Sequence, residues 1–214
     1  MANNTEYWTT PEGVAVYPRL NEPDTKFDPN GVFSVNLRLS AEDGAKLVEK
    51  LEAKLDGFHA EEVKRLRKPS VKKANLPYTE VHDDDGNPTG EFDFKFKLKH
   101  NVTTRTGKSW TQRPKLVDSQ LKGFTGPVIG GGSKLVIQFA PQTYYTPTMG
   151  CGITLRLNAV QVVELVEYQS NGAAGFGFTA KEDGYKAPEE AADAAKEEAT
   201  FSSHEESVTT VDDL

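Results

Sequence analysis

A single cysteine, Cys151, stands in 214 residues, so no intrachain disulfide and no cysteine zinc cluster can form, which suits a reducing compartment. Long apolar runs are also missing, and none approaches the ~18 residues of a membrane span. The first residues, MANNTEYWTT, carry neither a basic start nor an apolar stretch, so no signal peptide is expected. Histidine is scarce: His59, His82, His100 and His204 are scattered and never adopt the paired spacing of a metal-binding helix. No G-x-S-x-G elbow occurs, and the carboxylates of the body fall mostly in loops and on a helix. Neither an enzyme nor a cofactor is expected. The glycine triplet Gly130–Gly132, followed by Ser133 and Lys134, lacks the Gly-Lys-Ser/Thr order of a phosphate loop and opens a strand instead of a helix. Its glycines fit a sharp bend or bulge. In DDDGNPTG (83–90), a calcium loop with Gly86 in its sixth place would need an oxygen ligand at position 81, where the chain has Val81. A polar connection over 77–90 is expected there.

Charge is abundant but unevenly placed. The formal net charge is −7. Residues 187–214 hold nine acids against Lys196 alone, a net −8, which leaves +1 for residues 1–186. Within that body, residues 92–122 carry eight Lys or Arg against Asp93 and Asp118. From Gln169 onward glycine and alanine rise and the acidic run follows. Such a composition buries too little apolar surface to offset its ordering entropy, so a flexible tail is expected. The expected division is a folded domain over 1–180 and an acidic tail over 181–214.

The chain is organised around Phe92–His100, FDFKFKLKH. Phe92, Phe94, Phe96 and Leu98 alternate with Asp93, Lys95, Lys97 and Lys99. A strand sends successive side chains to opposite faces, so this one has an oily face and a face with a cationic stripe about 14 Å long at ~3.4 Å per residue. Two strands precede it. The first, over 13–19, has Val14 and Val16 on one side and ends or meets an edge at Pro18. The second, over 32–39, alternates Phe33, Val35, Leu37 and Leu39 with polar residues. Residues 21–31 between them are turn chemistry. Ser40 and Asp43 form a capping-box-like start to a helix, in which Leu47, Leu51, Leu55 and Phe58 recur at helical spacing. Six basic residues, Lys64, Arg65, Arg67, Lys68, Lys72 and Lys73, cluster at and beyond its end. A hairpin turn on Gly107 leads to a return strand with Trp110, Arg113 and Lys115. Then come a strand with Leu135, Ile137 and Phe139, a Tyr/Thr/Pro loop over 141–152, and a long apolar strand kinked near Asn158. Five or six strands, one helix and no βαβ rhythm predict a mainly β protein: a five-stranded antiparallel Greek-key barrel of the OB-fold type with one helix.

Basic residues interleaved with aromatics suit single-stranded nucleic acid, which offers phosphates to cations and unstacked bases to flat rings. The candidate cations are Lys95, Lys97, Lys99, Arg105, Lys108, Arg113, Lys115 and Lys134, and the candidate rings are Trp110, Tyr144 and Tyr145. Trp110 reads equally well as a core residue, whereas Tyr144 and Tyr145 are expected to be exposed. Two other readings stay open: a structural or assembly protein with a solubilising tail, and an RNA-binding OB protein.

Particular segments carry a family likeness. VIGGGSKLVIQF (128–139), the Tyr-rich stretch after it, GITLRLNAVQVVELVEY (152–168) and the acidic tail resemble the single-stranded DNA-binding protein of short-tailed bacteriophages. The FKFK strand and GVFSVNLRLS (31–40) fit the same pattern. This resemblance implies an OB-fold without catalysis, acting on single strands in phage replication, recombination and repair in the cytoplasm of the infected host. It further implies a frequent homodimer and a tail, here ending Asp212-Asp213-Leu214, that docks on the phage DNA polymerase and helicase-primase.

Overall fold

The protein is described from a computed structural model covering residues 5–68, 70–104 and 106–168. Arg105 and the expected tail, including Asp212, Asp213 and Leu214, lie outside the described residues.

In chain order the elements are β1 (Trp8–Thr9), β2 (Gly13–Asp24), β3 (Val32–Leu39), α1 (Ala41–Leu66), β4 (Tyr78–His82), β5 (Pro88–Lys99), β6 (Asn101–Thr103), β7 (Ser109–Thr111), β8 (Lys115–Val117), β9 (Lys134–Thr146) and β10 (Gly150–Glu164). Five of them close a ring, β2–β3–β5–β10–β9 and back to β2. This is the predicted five-stranded barrel, with one correction to its strand directions. The β5–β10 seam is parallel, pairing Phe96 with Leu155 and Lys97 with Arg156. A closed ring with an odd number of strands cannot alternate direction at every seam, so at least one pair must run the same way. The short strands β1, β4 and β8 add to the edges, and β6 with β7 forms a separate two-stranded arm.

The alternation read from the sequence is what fills the barrel. Phe33, Val35, Leu37 and Leu39 of β3, and Phe94, Phe96 and Leu98 of β5, point inward and are buried. Phe96 meets Phe139 of β9 edge-on, with ring centroids 5.0 Å apart, a geometry aromatic quadrupoles favour. Ala15 and Leu20 supply the inner face of β2, while Val14 is exposed. The apolar pair Val14 and Val16 therefore lies on the outer side of that strand. β2 also runs past Pro18 to Asp24, because a register shift between Val16 and Arg19 absorbs the proline.

The helix starts as expected: the Asp43 N–H donates to Ser40 Oγ at 3.2 Å. Leu47 and Leu51 pack into the barrel core, and Leu55 is also buried. Gly57 does not interrupt the helix, which ends at Arg67 in a left-handed cap. Residues 77–90 form a β-hairpin instead of a loop, with β4 paired to β5 around a turn at 83–87. Asp83 holds that turn by accepting from the backbone N–H groups of Asn87 and Asp85, and the Asn87 bond above all draws its carboxyl pKa down.

The glycine triplet is a bend, as its composition suggests. Buried Ser133 donates from Oγ to the Gly130 carbonyl at 2.8 Å and accepts from the Val166 N–H at 3.0 Å. A side chain on Gly130 would collide with the Val166 carbonyl oxygen. The kink in β10 is a bulge at Asn158, whose amide donates to Gln138 Oε1.

Candidate nucleic-acid interface

Inward phenylalanines force the lysines of β5 outward, and Lys95, Lys97 and Lys99 are all exposed. Their cross-strand neighbours on β3 carry no charge: Lys95 faces Asn36, Lys97 faces Ser34 and Lys99 faces Val32. Asp93, the acid in the same row, is held by Arg38 through two hydrogen bonds of 2.9 and 3.0 Å. Among the described residues, Lys95, Lys97 and Lys99 have no ion-pair partner within 4 Å. On the other side of β5, Arg156 of β10 lies in register with Lys97. The stripe predicted from one strand is thus a cationic surface two strands wide.

This surface lies in an open cleft of about 1100 Å³ whose lining includes Lys95, Lys97, Lys99, Arg156, Phe27 and Trp110. Trp110 sits on the β6–β7 arm and is 42% exposed, which decides against its core reading. Phe27, in the β2–β3 connection, is 87% exposed, with the Lys26 ammonium 5.8 Å from its ring centre. An apolar ring left in water beside a row of unpaired cations is unexplained by packing and suits base stacking. The arm is anchored at its root: Gln112 donates from Nε2 to the Lys99 carbonyl at 2.8 Å and accepts from Arg156 at 2.9 Å. The Asn101 N–H donates to the Asn30 carbonyl at 2.9 Å and ties the arm to the β2–β3 connection.

The remaining candidates separate from the cleft. Lys108 lies near the turn of the arm, and Lys115 opens β8; both are exposed and neither lines the cleft. Arg113 donates to the Asn21 carbonyl at 3.1 Å, with its guanidinium 5.9 Å from the Phe33 ring centre. Lys134 pairs with Glu164 at 2.7 Å, at the β9–β10 register position farthest from the hairpin tip. Its place beside the glycine triplet in sequence does not bring it to the cleft. Tyr144 and Tyr145 are half-buried on β9 instead of lying in an exposed loop. Tyr144 shares the outward face of Gln142, which lines the cleft, and its ring covers Gly152 so closely that any side chain there would strike it. Tyr145 carries the Arg65 guanidinium 6.0 Å from its ring centre.

Lys97 differs electrostatically from its neighbours. Partial burial, and then the adjacent Lys95 charge, hold its ammonium below the usual lysine pKa. In the folded state the charged form is therefore disfavoured, a cost present at neutral pH that is relieved as pH rises from the folded towards the unfolded pKa. A bound phosphate favours the charged form, so binding above the lowered pKa requires proton uptake. Affinity for oligo-dT is expected to fall with rising alkaline pH before an ordinary lysine near ~10.4 would titrate. Lys97→Arg, charged throughout that range, abolishes this early fall; titrations from pH 7 to 10 at fixed salt measure it.

Comparison with known proteins points in one direction. The family described as single-stranded DNA-binding protein, bacteriophage T7, matches residues 12–165. The chain is 28% identical over 207 residues to the single-stranded DNA-binding protein of Enterobacteria phage T3, covering 89% of each chain. It is similar in structure to gp2.5, a single-stranded DNA-binding protein encoded by bacteriophage T7, with a TM-score of 0.65 and 26% identity over 86% of this chain and 100% of that one. The single-stranded DNA-binding protein of bacteriophage Enc34, in complex with ssDNA, shares the fold at a TM-score of 0.50 and 16% identity, covering 75% of this chain and 88% of that one.

Proposed function

This chain belongs to the bacteriophage T7 single-stranded DNA-binding protein family, and on that premise we propose that it is a non-catalytic protein that coats and protects single-stranded DNA. Its setting is the cytoplasm of an infected bacterium, and its work is phage replication, recombination and repair. No described helix is long and apolar enough to cross a membrane. The observation that carries the reading is the unpaired row Lys95–Lys97–Lys99, with Phe27 and Trp110 exposed in the same cleft. Phosphates lie along the lysines and Arg156, and bases stack on the two rings. Phosphates and ring faces are common to every nucleotide, so binding through them is general. The chain has two tryptophans, and Trp8 packs on the barrel. In a Trp8→Phe background the remaining emission reports Trp110. Oligo-dT should quench it at far lower concentration than duplex of equal length. Equal quenching by both, or none by either, would remove the function from this cleft.

The reading extends to the acidic tail. Residues 187–214 carry nine acids against one lysine, and a tethered polyanion has a high effective concentration near a cationic cleft. It competes with weakly held phosphates, duplex included, while single strands win through stacking. Once DNA displaces it, the tail ending Asp212-Asp213-Leu214 becomes free to recruit the phage DNA polymerase and helicase-primase. Self-association as a homodimer belongs to the same proposal. A chain ending at Ala187 should bind oligo-dT more tightly at low salt and gain measurable duplex affinity, and both gains should shrink as salt screens the tail. Unchanged low-salt affinities would show that the tail does not compete.

A further inference from the structure

The basic cluster at the end of α1 is not part of the cleft. Lys64, Arg65, Arg67, Lys68, Lys72 and Lys73 are all exposed, and residues 63–75 contain no acid. Two of the six are neutralised by nearby carboxylates, Arg65 by Glu62 and Lys73 by Asp56. Lys64, Arg67, Lys68 and Lys72 have no ion-pair partner among the described residues. Favourable interaction with the negative helix end accounts for Lys64 and Arg65 in the last turn. It does not account for Lys72, which lies beyond that turn.

The position of Lys72 is firmly fixed. His59 Nε2 lies 2.8 Å from the Val71 carbonyl oxygen. The Cys151 N–H donates to the Lys72 carbonyl at 2.8 Å, and the Ala74 N–H donates to the Cys151 carbonyl at 2.7 Å. Gly150, with φ +83°, has its Cα against the Lys72 carbonyl, where no side chain would fit. The basic segment is thus laced to the tip of the β9–β10 hairpin.

That hairpin leads back to the cleft. On β10, Arg156 and Thr154 line the cleft, and the same outward face continues to Gly152, which carries the flat Tyr144 ring. From Arg156 to Cys151 is five residues, about 17 Å of strand. Tyr145 pairs with Cys151 and faces the other side of the hairpin, beneath Arg65, whereas Lys72, next to the Lys73–Cys151 bridge, alternates to the side of Gly152 and Tyr144. A cationic floor, then the Tyr144 ring lying along the strand, then Lys72 with the other uncompensated helix-end cations following it form a track.

We propose that this helix-end surface is a second phosphate-binding station for the same single strand, taking it up after it leaves the cleft across Tyr144. The inference rests on the single-strand reading above and deepens it: one chain grips one strand at two cationic stations, and strands too short to reach the second are held by the first alone.

The test uses the full chain with Lys64, Arg67, Lys68 and Lys72 replaced together by Gln, and dT6 and dT30 as probes across salt. All four side chains are exposed, so the melting temperature should hold; if it falls, Lys72→Gln alone is measured instead. The expected result is unchanged dT6 affinity, a loss of at least about tenfold for dT30 at low salt with the quadruple variant, and a dT30 salt slope flatter by ~0.7 for each phosphate contact removed. Lys72→Gln alone should lose one such contact. Unchanged dT30 binding overturns the second station. Parallel losses for dT6 and dT30 also overturn it, because the patch would then act only through its general field. A gain in affinity overturns it in favour of an anionic segment of the chain occupying the patch. If wild-type protein binds neither probe, the single-strand reading itself fails, and that outcome is distinct from the other three.

Discussion

Replacing Lys95, Lys97 and Lys99 together by Gln is expected to weaken oligo-dT binding about 100-fold near 0.1 M salt. The figure follows from counterion release: each phosphate contact on a single strand contributes ~0.7 to the slope of log affinity against log salt, so three contacts contribute ~2. At 1 M salt the ionic part is nearly gone, and the variant and the wild type should converge there. The substitution leaves the fold intact because the other side of β5 is untouched. Phe94, Phe96 and Leu98 remain buried in the barrel, and Lys95, Lys97 and Lys99 take part in no ion pair that the fold depends on among the described residues. A folded triple variant with an unchanged salt slope would take the strand out of the binding site.

Removing the two exposed rings should have a comparable effect on affinity and a different signature. Stacking on one aromatic is worth ~1–3 kcal/mol per base, so Phe27→Ala and Trp110→Ala should each weaken binding about 5- to 150-fold. The rings belong to different segments, the β2–β3 connection and the β6–β7 arm, and their effects should add in free energy if each stacks its own base. The double variant should then lose at least about 25-fold while the salt slope stays at its wild-type value, because no charge has been removed. Neither ring is a core residue, at 87% and 42% exposed, so melting temperatures should move little. Wild-type affinity in the double variant would leave the cleft with electrostatics alone, and such a surface would not prefer single strands to duplex.

These predictions rest partly on residues that the sequence displayed and partly on residues it concealed. The β5 stripe was legible because the period of a strand is strict: once Phe94 and Phe96 are inside, Lys95 and Lys97 are outside. The Ser40 cap and the leucine repeat of α1 were legible for the same local reason. Phe27 was not, because it lies in a connection without periodicity, and its place beside the lysines is set by how β2 and β3 join across the barrel. The signal available was an aromatic residue amid turn-forming neighbours, with no apolar pattern to bury it. Arg156 was hidden in a strand read for its apolar content, although its alternation with Leu155 and Leu157 marks it as outward. For Tyr144 and Tyr145, Pro141 and the threonines around them suggest a loop. In the barrel Pro141 falls where β9 pairs with β10 and no second strand, a setting that tolerates proline. Lys134 shows the converse: near a glycine-rich segment in sequence, it is carried by the β9–β10 register to Glu164 at the far end of the hairpin.

The central claim is that a single strand lies across β3, β5 and β10 between Phe27 and Trp110. Photo-crosslinking of oligo-dT to the full chain, followed by peptide mapping, tests it most directly, because excited thymine attaches to aromatic side chains in van der Waals contact. The account predicts adducts on Phe27 and Trp110, lost when excess unlabelled oligo-dT competes and reduced in the Lys95/Lys97/Lys99→Gln variant. Competable adducts confined to exposed Tyr168, beside the glycine triplet and outside the cleft, with none on Phe27 or Trp110, would contradict it.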